Sequence, residues 1–325
     1  MGWYRDQRVI VTGGLGFIGS NLARRLAEEG ADVTVVDPCI PGCGGDPRNL
    51  DHASGRIRVL ATDIGLPAAF EDAIRQAQVI FNLAGEISHI HSVLNPERDL
   101  HLNTTQQLRF LQAVARWNEG VRIVYAGTRQ VYGVPEYLPV DEDHPVNPVD
   151  FNGVHKYAAT MYHLMLSRTG LLDACVLRLT NIYGPRMNLS VPGQGFFTTF
   201  LKRLSLGEPL EVFGDGQQLR DPLFVDDAVE AFLTVGAAPT LPSRAYNIGG
   251  PEALSLLDIA TIASQTAGVA APTLRPFPEE RKSIDIGSYR TDSSRIAAEL
   301  GWTPRTRFAD GFAVALAYYR ELAQA

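Results

Sequence analysis

A glycine-rich turn near the N-terminus carries the clearest chemical signal in the sequence. The run GGLGFIG at residues 13–19 follows a short apolar segment and opens an amphipathic one. Where no Cβ intrudes, a pyrophosphate can approach a helix N-terminus, whose free N–H groups and dipole bind its charge. The spacing predicts a dinucleotide site with contacts from Gly13, Gly16, Phe17, Ile18 and Gly19.

A carboxylate follows the glycine turn at the spacing of such a site. Asp37 ends a second apolar run, where it would accept hydrogen bonds from the adenosine ribose hydroxyls and repel a 2′-phosphate. This favours NAD over NADP; the alternative is that Asp37 only opens a turn before Pro38. The adenine and ribose would pass two further strand ends, at Asp63, Ile64, Leu83 and Ala84.

Alternating strands and helices must position these residues. Buried parallel strands are indicated by apolar runs at 8–12, 32–36, 58–61, 79–83, 121–126 and 174–179. Helices are indicated between them, at 20–29, 100–117 and 152–168 among others. Repeated strand–helix–strand units predict an α/β fold with a doubly wound parallel sheet of the Rossmann type.

A change of pattern near Gly184 predicts a second, smaller lobe, because the segments become shorter and richer in Gly and Pro. We expect residues 1–183 to form an NAD-binding Rossmann domain, with elements returning to it at about 224–250. Residues 184–325 should form mainly a smaller C-terminal α/β substrate lobe. Three aromatic residues there could stack on a base or fill the lobe's core, which is favoured: Phe196, Phe197 and Phe200.

Composition and charge exclude several classes of protein. The 325 residues carry a net charge of -7 with scattered Lys and Arg, so nucleic acid is not an expected partner. No apolar run is long enough to span a bilayer and the N-terminus lacks a signal-like pattern, so we expect a cytoplasmic protein without a membrane partner. Cys39, Cys43 and Cys175 cannot form a disulfide framework, and no metal site is expected.

Ordered motifs support a family resemblance. They are TGGLGFIG (12–19), NLAG (82–85), SVLNP (92–96) with Asn103, VYG (131–133), NP (147–148), RLTNIYGPR (178–186), FGDG (213–216) with Arg220-Asp221, and VDD (225–227). With them the chain resembles the extended short-chain dehydrogenase/reductases of the NAD-dependent nucleotide-sugar epimerase/dehydratase family, in particular its UDP-glucose 4-epimerase-like members. The resemblance implies tightly held NAD, a nucleoside-diphosphate sugar in the smaller lobe, and transient hydride removal from that sugar.

The resemblance also implies a catalytic set, from which the chain departs at one position. The family uses a Ser or Thr, and a Tyr four residues before a Lys, whose ammonium lowers the pKa of the phenol so that the phenolate takes a sugar hydroxyl proton. Thr128 and Lys156 match, but Asn152 occupies the Tyr position. Asn is no acid or base near neutral pH, although its amide can position a hydroxyl or a water.

Three interpretations of this departure stay open. In the first, another base takes the proton: Glu86 is the first candidate, unless it is only hydrogen-bonded at its strand end, and the weaker ones are His155, His89 and His91. In the second, Lys156, which can also hold the nicotinamide ribose, relays the proton through water. In the third, redox chemistry is lost and the protein only binds or isomerises a sugar nucleotide.

The substrate side is predicted through the resemblance. Family dehydratases have an Asp-Glu pair after the Thr, whereas this chain has Arg129-Gln130, so dehydration is disfavoured. Arg129 would contact a substrate carboxylate or phosphate, or form a structural ion pair. Asn181 and Arg220 match diphosphate-binding positions, with Arg281 or Lys282 as an addition; an ion pair with Asp221 or Asp226 is the alternative for Arg220.

The expected reaction is epimerisation of a nucleoside-diphosphate sugar through a transient keto intermediate, with C4 as the first choice. The alternatives are a nucleotide-sugar oxidoreductase or decarboxylase, and a catalytically impaired protein that binds NAD and a sugar nucleotide. The resemblance further implies a homodimer through the helices at 100–117 and 152–168, with an interface from Leu108, Leu111, Met161, Leu164 and Met165.

Overall fold

The computed structural model of the protein describes residues 2–53, 55–190, 195–277 and 286–324. Arg281 and Lys282, predicted to contact the substrate, lie outside these ranges. No helix among the described residues is long and apolar enough to cross a bilayer. Within the same ranges, no group of three or more His, Cys, Asp or Glu side chains could hold a metal ion, and Cys39, Cys43 and Cys175 are free thiols.

The main sheet positions the site. Its seven parallel strands in the described ranges are β1 (Arg8–Thr12), β2 (Asp32–Val36), β3 (Arg56–Leu60), β4 (Val79–Asn82), β5 (Arg122–Thr128), β6 (Asp173–Leu179) and β11 (Ala245–Ile248). Across the sheet they follow the order β11-β6-β5-β4-β1-β2-β3. The connections reverse direction between β1 and β4, and this reversal opens a crevice at the carboxyl ends of the strands. The predicted Rossmann-type sheet is confirmed.

Helices cover both faces of the sheet, which is why its central strands are apolar throughout. One face packs against α1 (Phe17–Glu28) and α8 (Val225–Ala237), and the other against α2 (Glu71–Gln76), α5 (Gln106–Trp117) and α6 (Phe151–Arg168). Alternate residues of β1 enter the cores on the two faces of the sheet. Val9 and Val11 join the first core, on the α1 and α8 face, and Ile10 joins the second core, on the opposite face. Leu111 is fully buried in that second core, so its predicted place in a dimer interface is wrong.

The helix predicted at 100–117 is longer and interrupted. After α3 (His89–Leu94), α4 (Pro96–Leu100) begins at Asn95, whose side chain caps it, and a π-helical turn (His101–Thr105) joins α4 to α5. Such turns are often found at functional sites. Short 3₁₀ turns lie at Pro47–Leu50, Pro67–Phe70 and Arg129–Tyr132.

A third core belongs to the C-terminal half of the chain. Its helices are α7 (Phe196–Ser205), α9 (Leu256–Ala267) and α11 (Phe308–Gln324), whereas α10 (Ser294–Leu300) packs against the first core through Ile296. Its short strands pair as β7 (Ile182–Tyr183) with β10 (Leu223–Phe224), β8 (Glu211–Phe213) with β13 (Thr273–Arg275), and β9 (Leu219–Arg220) with β12 (Leu254–Ser255). Phe197 and Phe200 are buried in this core and Phe196 packs against it, as the core interpretation of these rings predicts.

Candidate active site

One cavity of about 390 Å³ lies at the carboxyl edge of the sheet. Its wall contains every residue predicted to hold the cofactor: Gly13, Gly16, Phe17, Ile18, Gly19, Asp37, Asp63, Ile64, Leu83, Ala84 and Lys156. Thr128, Asn152 and Asn181 lie in the same wall. The doubly wound topology explains the gathering, because the carboxyl ends of neighbouring parallel strands meet at one edge.

The glycine turn packs too closely against neighbouring backbone to admit side chains. Gly13 has a φ of +67°, and a Cβ there would lie 2.7 Å from the carbonyl oxygen of Leu83. A Cβ on Gly19 would lie 2.2 Å from the Gly13 oxygen. Gly16, the N-cap of α1, has no side chain to cap the helix, so the first-turn N–H groups stay available to a ligand in the cavity.

Asp37 stands at the end of β2 with its carboxylate already oriented. Its Oδ2 accepts from the Leu15 amide at 3.0 Å and its Oδ1 accepts from the Cys39 amide at 2.8 Å. Burial raises the pKa of this carboxyl above its usual range, although the two amides oppose the shift. The remaining lone pairs suit ribose hydroxyls, whereas a second anion would meet a buried carboxylate.

A buried polar network supports the strand ends beneath the cavity. Thr12 Oγ1 donates to Asn82 Oδ1 at 2.7 Å, and Asn82 Nδ2 donates to Gln107 Oε1 at 2.7 Å. Gln107 in turn donates to the carbonyl of Ala84 at 2.8 Å. His163 lies 3.2 Å from Asn82 Nδ2, and burial lowers its pKa to about 4. Sequence reasoning missed Gln107 and His163, because only long-range packing brings them under the sheet.

Lys156 projects from α6 into the cavity wall. Burial lowers the pKa of its amine from 10.5 to about 8, although the carboxylates of Asp99 and Glu86 act in the opposite direction. Among the described residues, its Nζ makes no hydrogen bond. Gly85 keeps this region open, since a Cβ there would lie 3.1 Å from Nζ.

Thr128 is the last residue of β5 and begins the 3₁₀ turn that follows. Its Oγ1 accepts from the Gln130 amide at 3.2 Å, which fixes the side chain at the strand end. The hydroxyl proton is not used by that bond. A hydroxyl donor is therefore available in the wall that also contains Lys156 and Asn152.

Asn152 is held by two acceptors on the side away from the cavity. Its Nδ2 donates to the carbonyl oxygen of Glu86 at 3.0 Å and to Asp99 Oδ2 at 2.9 Å. Both amide hydrogens are used, so Oδ1 remains as the acceptor for the cavity that Asn152 lines. Asp99, which sequence reasoning missed, also lies 2.7 Å from His155 Nδ1. His155 thus packs against α4, away from the main cavity.

Glu86, the first candidate for the base, lies outside the wall of this cavity. Its Oε1 accepts from the amides of Ile87 and Ser88, and its Oε2 lies 3.2 Å from Cys43 Sγ. Glu86 lines a separate hollow of about 180 Å³ together with His91 and Asp99. This position does not favour Glu86 as a proton acceptor. The side chain of His89 lies outside the described part of the protein.

Some of the residues predicted to contact the substrate line the cavity, and others lie outside its wall. Asn181 lines the cavity, and its Oδ1 accepts from Arg129 Nη2 at 2.9 Å. Arg129 also lines the cavity and lies 4.6 Å from the ring centre of Tyr289. Arg220 is buried outside the cavity wall, where its Nη1 donates to the carbonyls of Leu219 and Gly287. The predicted contact between Arg220 and a diphosphate therefore gains no support from its position.

The residues present fit a bound dinucleotide. A glycine turn with uncapped helix amides suits a pyrophosphate, and a carboxylate fixed at the end of β2 suits a ribose. Lys156 lines the same cavity, and its amine would hold the nicotinamide ribose.

Comparisons with known proteins agree with this site. Residues 9–249 match the NAD dependent epimerase/dehydratase family. A UDP-glucose 4-epimerase of Mycolicibacterium smegmatis is 32% identical over 98% of this chain and 100% of its own length. A UDP-glucuronic acid decarboxylase 1 of Xenopus tropicalis is 29% identical over 97% of this chain and 73% of its own.

A solved structure gives the same fold with the cofactor in place. The dTDP-glucose 4,6-dehydratase DesIV of Streptomyces venezuelae, solved with NAD bound, has a TM-score of 0.86 and 27% identity, with 97% of each chain covered. The fold, the glycine turn and the full-length sequence match thus point to one conclusion. The chain belongs to the NAD dependent epimerase/dehydratase family, and NAD is its cofactor.

Proposed function

We propose that the protein epimerises a nucleoside-diphosphate sugar at C4 through a transient keto sugar. One observation carries the proposal: the Lys156 amine, the Asn152 amide and the Thr128 hydroxyl share the wall of the cavity that contains the dinucleotide-binding turn. The full-length similarity to a UDP-glucose 4-epimerase supports the choice of carbon. Arg129-Gln130, in place of an Asp-Glu pair, argues against dehydration.

Lys156 is the proton acceptor in this proposal. When bound, NAD supplies the acceptor and donor of the sugar's hydride. A buried amine with a pKa of about 8 is partly neutral near physiological pH, and only the neutral form can take a proton. Thr128 donates a hydrogen bond from its hydroxyl to the sugar oxygen and so orients the sugar.

A water held by Asn152 connects the sugar to Lys156. The water donates one hydrogen to Asn152 Oδ1 and the other to the neutral Nζ, while its lone pair faces the sugar hydroxyl. The hydroxyl proton passes to the water as one water proton passes to Nζ, which becomes an ammonium. The reverse transfer returns the proton when the sugar is reduced, so neither charge nor water is consumed over the cycle.

A second candidate function follows from Arg129. Its guanidinium lines the cavity, where it would pair with a sugar carboxylate in a nucleotide-sugar oxidoreductase or decarboxylase. A catalytically impaired protein that binds NAD and a sugar nucleotide is the remaining alternative. Lys156→Ala separates it from both enzymes, because an enzyme loses turnover and a binding protein has none to lose.

To test this function, the protein and NAD are incubated with UDP-, dTDP-, GDP- and CDP-sugars in D₂O. Proton NMR and mass spectrometry identify the products. A C4 isomer without deuterium is the expected result, whereas a deuterated isomer indicates proton abstraction beside a ketone. Loss of two hydrogens or of carbon dioxide supports the second candidate. No change with any sugar overturns the proposal.

We also propose a cytoplasmic homodimer that pairs through α5 and α6. Met165 is exposed, and Leu108, Met161 and Leu164 are half-buried, which leaves apolar surface on these helices. Analytical ultracentrifugation at micromolar protein concentration should show a dimer. Met165→Asp should weaken the association of the two subunits. A monomer at that concentration would refute this part of the proposal.

A further inference from the structure

A buried carboxylate stands behind the residue that departs from the family pattern. Asp99, on α4, is 2% exposed. Its Oδ2 accepts from Asn152 Nδ2 at 2.9 Å, and its Oδ1 lies 2.7 Å from His155 Nδ1. Asn152 and His155 are three residues apart on α6, so both reach the same neighbour on α4. Both of its oxygens thus contact the helix that carries Lys156.

We propose that Asp99 is a positioning residue that fixes the Asn152 amide with Oδ1 facing the substrate. The inference rests on the proposed function, in which that oxygen holds the proton-relaying water. A tyrosine hydroxyl can donate or accept in whichever sense a proton transfer requires, but an amide presents an oxygen or an NH₂ group according to its rotation. Asn152 can therefore replace the tyrosine as an acceptor only if its rotation is fixed.

Two acceptors fix that rotation together. Nδ2 donates to the carbonyl of Glu86 at 3.0 Å as well as to Asp99. A flipped amide would place Oδ1 against that carbonyl and the carboxylate, with two acceptor–acceptor contacts in a buried setting. It would also present to the cavity an NH₂ group, and an amide NH₂ group cannot accept a hydrogen bond from water.

His155 completes the arrangement by holding the carboxylate. With its Nδ1 as donor, it fixes one oxygen of Asp99 and leaves the other for Asn152. An asparagine at position 155 can place an amide donor near the same point, whereas a leucine cannot. We expect His155→Asn to keep most of the activity and His155→Leu to lose it.

Three variants test the positioning role. Asp99→Leu removes both acceptors, and loss of a hydrogen bond to a charged acceptor predicts a kcat about 10-fold to 100-fold lower. The KM of the sugar nucleotide should stay within about 3-fold. Asp99→Asn keeps an acceptor for Asn152 and should retain most of kcat. If Asp99 instead acted only through its charge, Asp99→Asn and Asp99→Leu would be equally impaired.

A double-mutant cycle with Asn152→Ala isolates the pair. If Asp99 acts through Asn152, adding Asp99→Leu to Asn152→Ala lowers kcat no further. Multiplied effects of the two substitutions would overturn the proposal. Asp227→Leu is the matched control: Asp227 is also buried and accepts from the amides of Arg305 and Thr306, but it lies outside the cavity. This control should lower thermal stability and leave kcat unchanged.

A measurement that does not depend on turnover tests the positioning role independently of the proposed function. In ¹⁵N spectra, the side-chain NH₂ signals of Asn152 are assigned as the pair that is absent from the spectrum of Asn152→Ala. In the native protein we expect it to exchange slowly with water, because both hydrogens have buried acceptors, and to exchange faster in Asp99→Leu. Unchanged exchange in Asp99→Leu would overturn the positioning role. An inactive native protein with the expected spectra would overturn the proposed function alone.

Discussion

Burial of Lys156 predicts how turnover depends on pH. The pKa falls from 10.5 to about 8, mainly because the ammonium is desolvated. This shift favours the neutral amine by about 3 kcal/mol. The neutral fraction is then about one tenth at a pH of about 7 and about nine tenths at a pH of about 9. If neutral Lys156 is the base, kcat/KM rises about tenfold across this interval and then levels off.

A lysine with an unshifted pKa gives a different curve. Its neutral fraction would rise about a hundredfold over the same interval, with no plateau. The assay measures kcat/KM for isomer interconversion by NMR from about pH 6 to about pH 10. Lys156→Arg is the matched control, because a guanidinium stays charged throughout and gives a low, flat profile. A flat native profile, or a log-linear rise without a plateau, would show that a buried Lys156 with a lowered pKa is not the base.

Three further predictions concern stability and cofactor binding. Lys156→Met should raise the free energy of unfolding by up to about 3 kcal/mol at a pH of about 7. Because the folded pKa lies below the unfolded one, denaturant titrations should show the full gain below pH about 8, a decline as the pH rises from about 8 towards 10.5, and no gain above 10.5; a pH-independent gain would contradict it. Gly16→Ala should lower the melting temperature only slightly yet weaken NAD binding in calorimetry, since its Cβ makes one tight contact, with the Gly13 oxygen at 3.2 Å, while the residue lines the cavity. Asp37→Asn should weaken NAD binding about tenfold or more and narrow the preference over NADP, and equal discrimination in both proteins would disprove the role of its charge.

The sheet and the cofactor site could be predicted from the sequence because their signals are local. A strand, a glycine turn and a helix are consecutive in the chain, and the requirement for glycine at position 19 is local, because a Cβ there would collide with the Gly13 carbonyl. Asp37 is predictable for the same reason, since it lies where β2 ends. Parallel topology then brings the strand ends together without any further information.

The proton-transfer part of the site depends on long-range packing, so the sequence predicts it only in part. Asp99 contacts Asn152 across 53 positions of the chain, and no local pattern marks that pair. Glu86 shows the same limit: its position after β4 is predictable, but its carboxylate is held by neighbouring amides and by Cys43, 43 positions earlier. The π-helical turn before α5 is likewise absent from the periodicity, which suggests a single helix.

Epimerisation through a keto sugar returns the sugar's own C4 hydrogen to C4, and isotopic labelling of that hydrogen detects this return. The protein, NAD and a nucleoside-diphosphate sugar deuterated at C4 are incubated in ordinary water, and the isomers are analysed by NMR and mass spectrometry. We expect an inverted sugar that keeps its deuterium at C4, formed by the native protein and much more slowly by Lys156→Met. An inverted sugar that has lost the deuterium to solvent, or inversion at the native rate without Lys156, would contradict it.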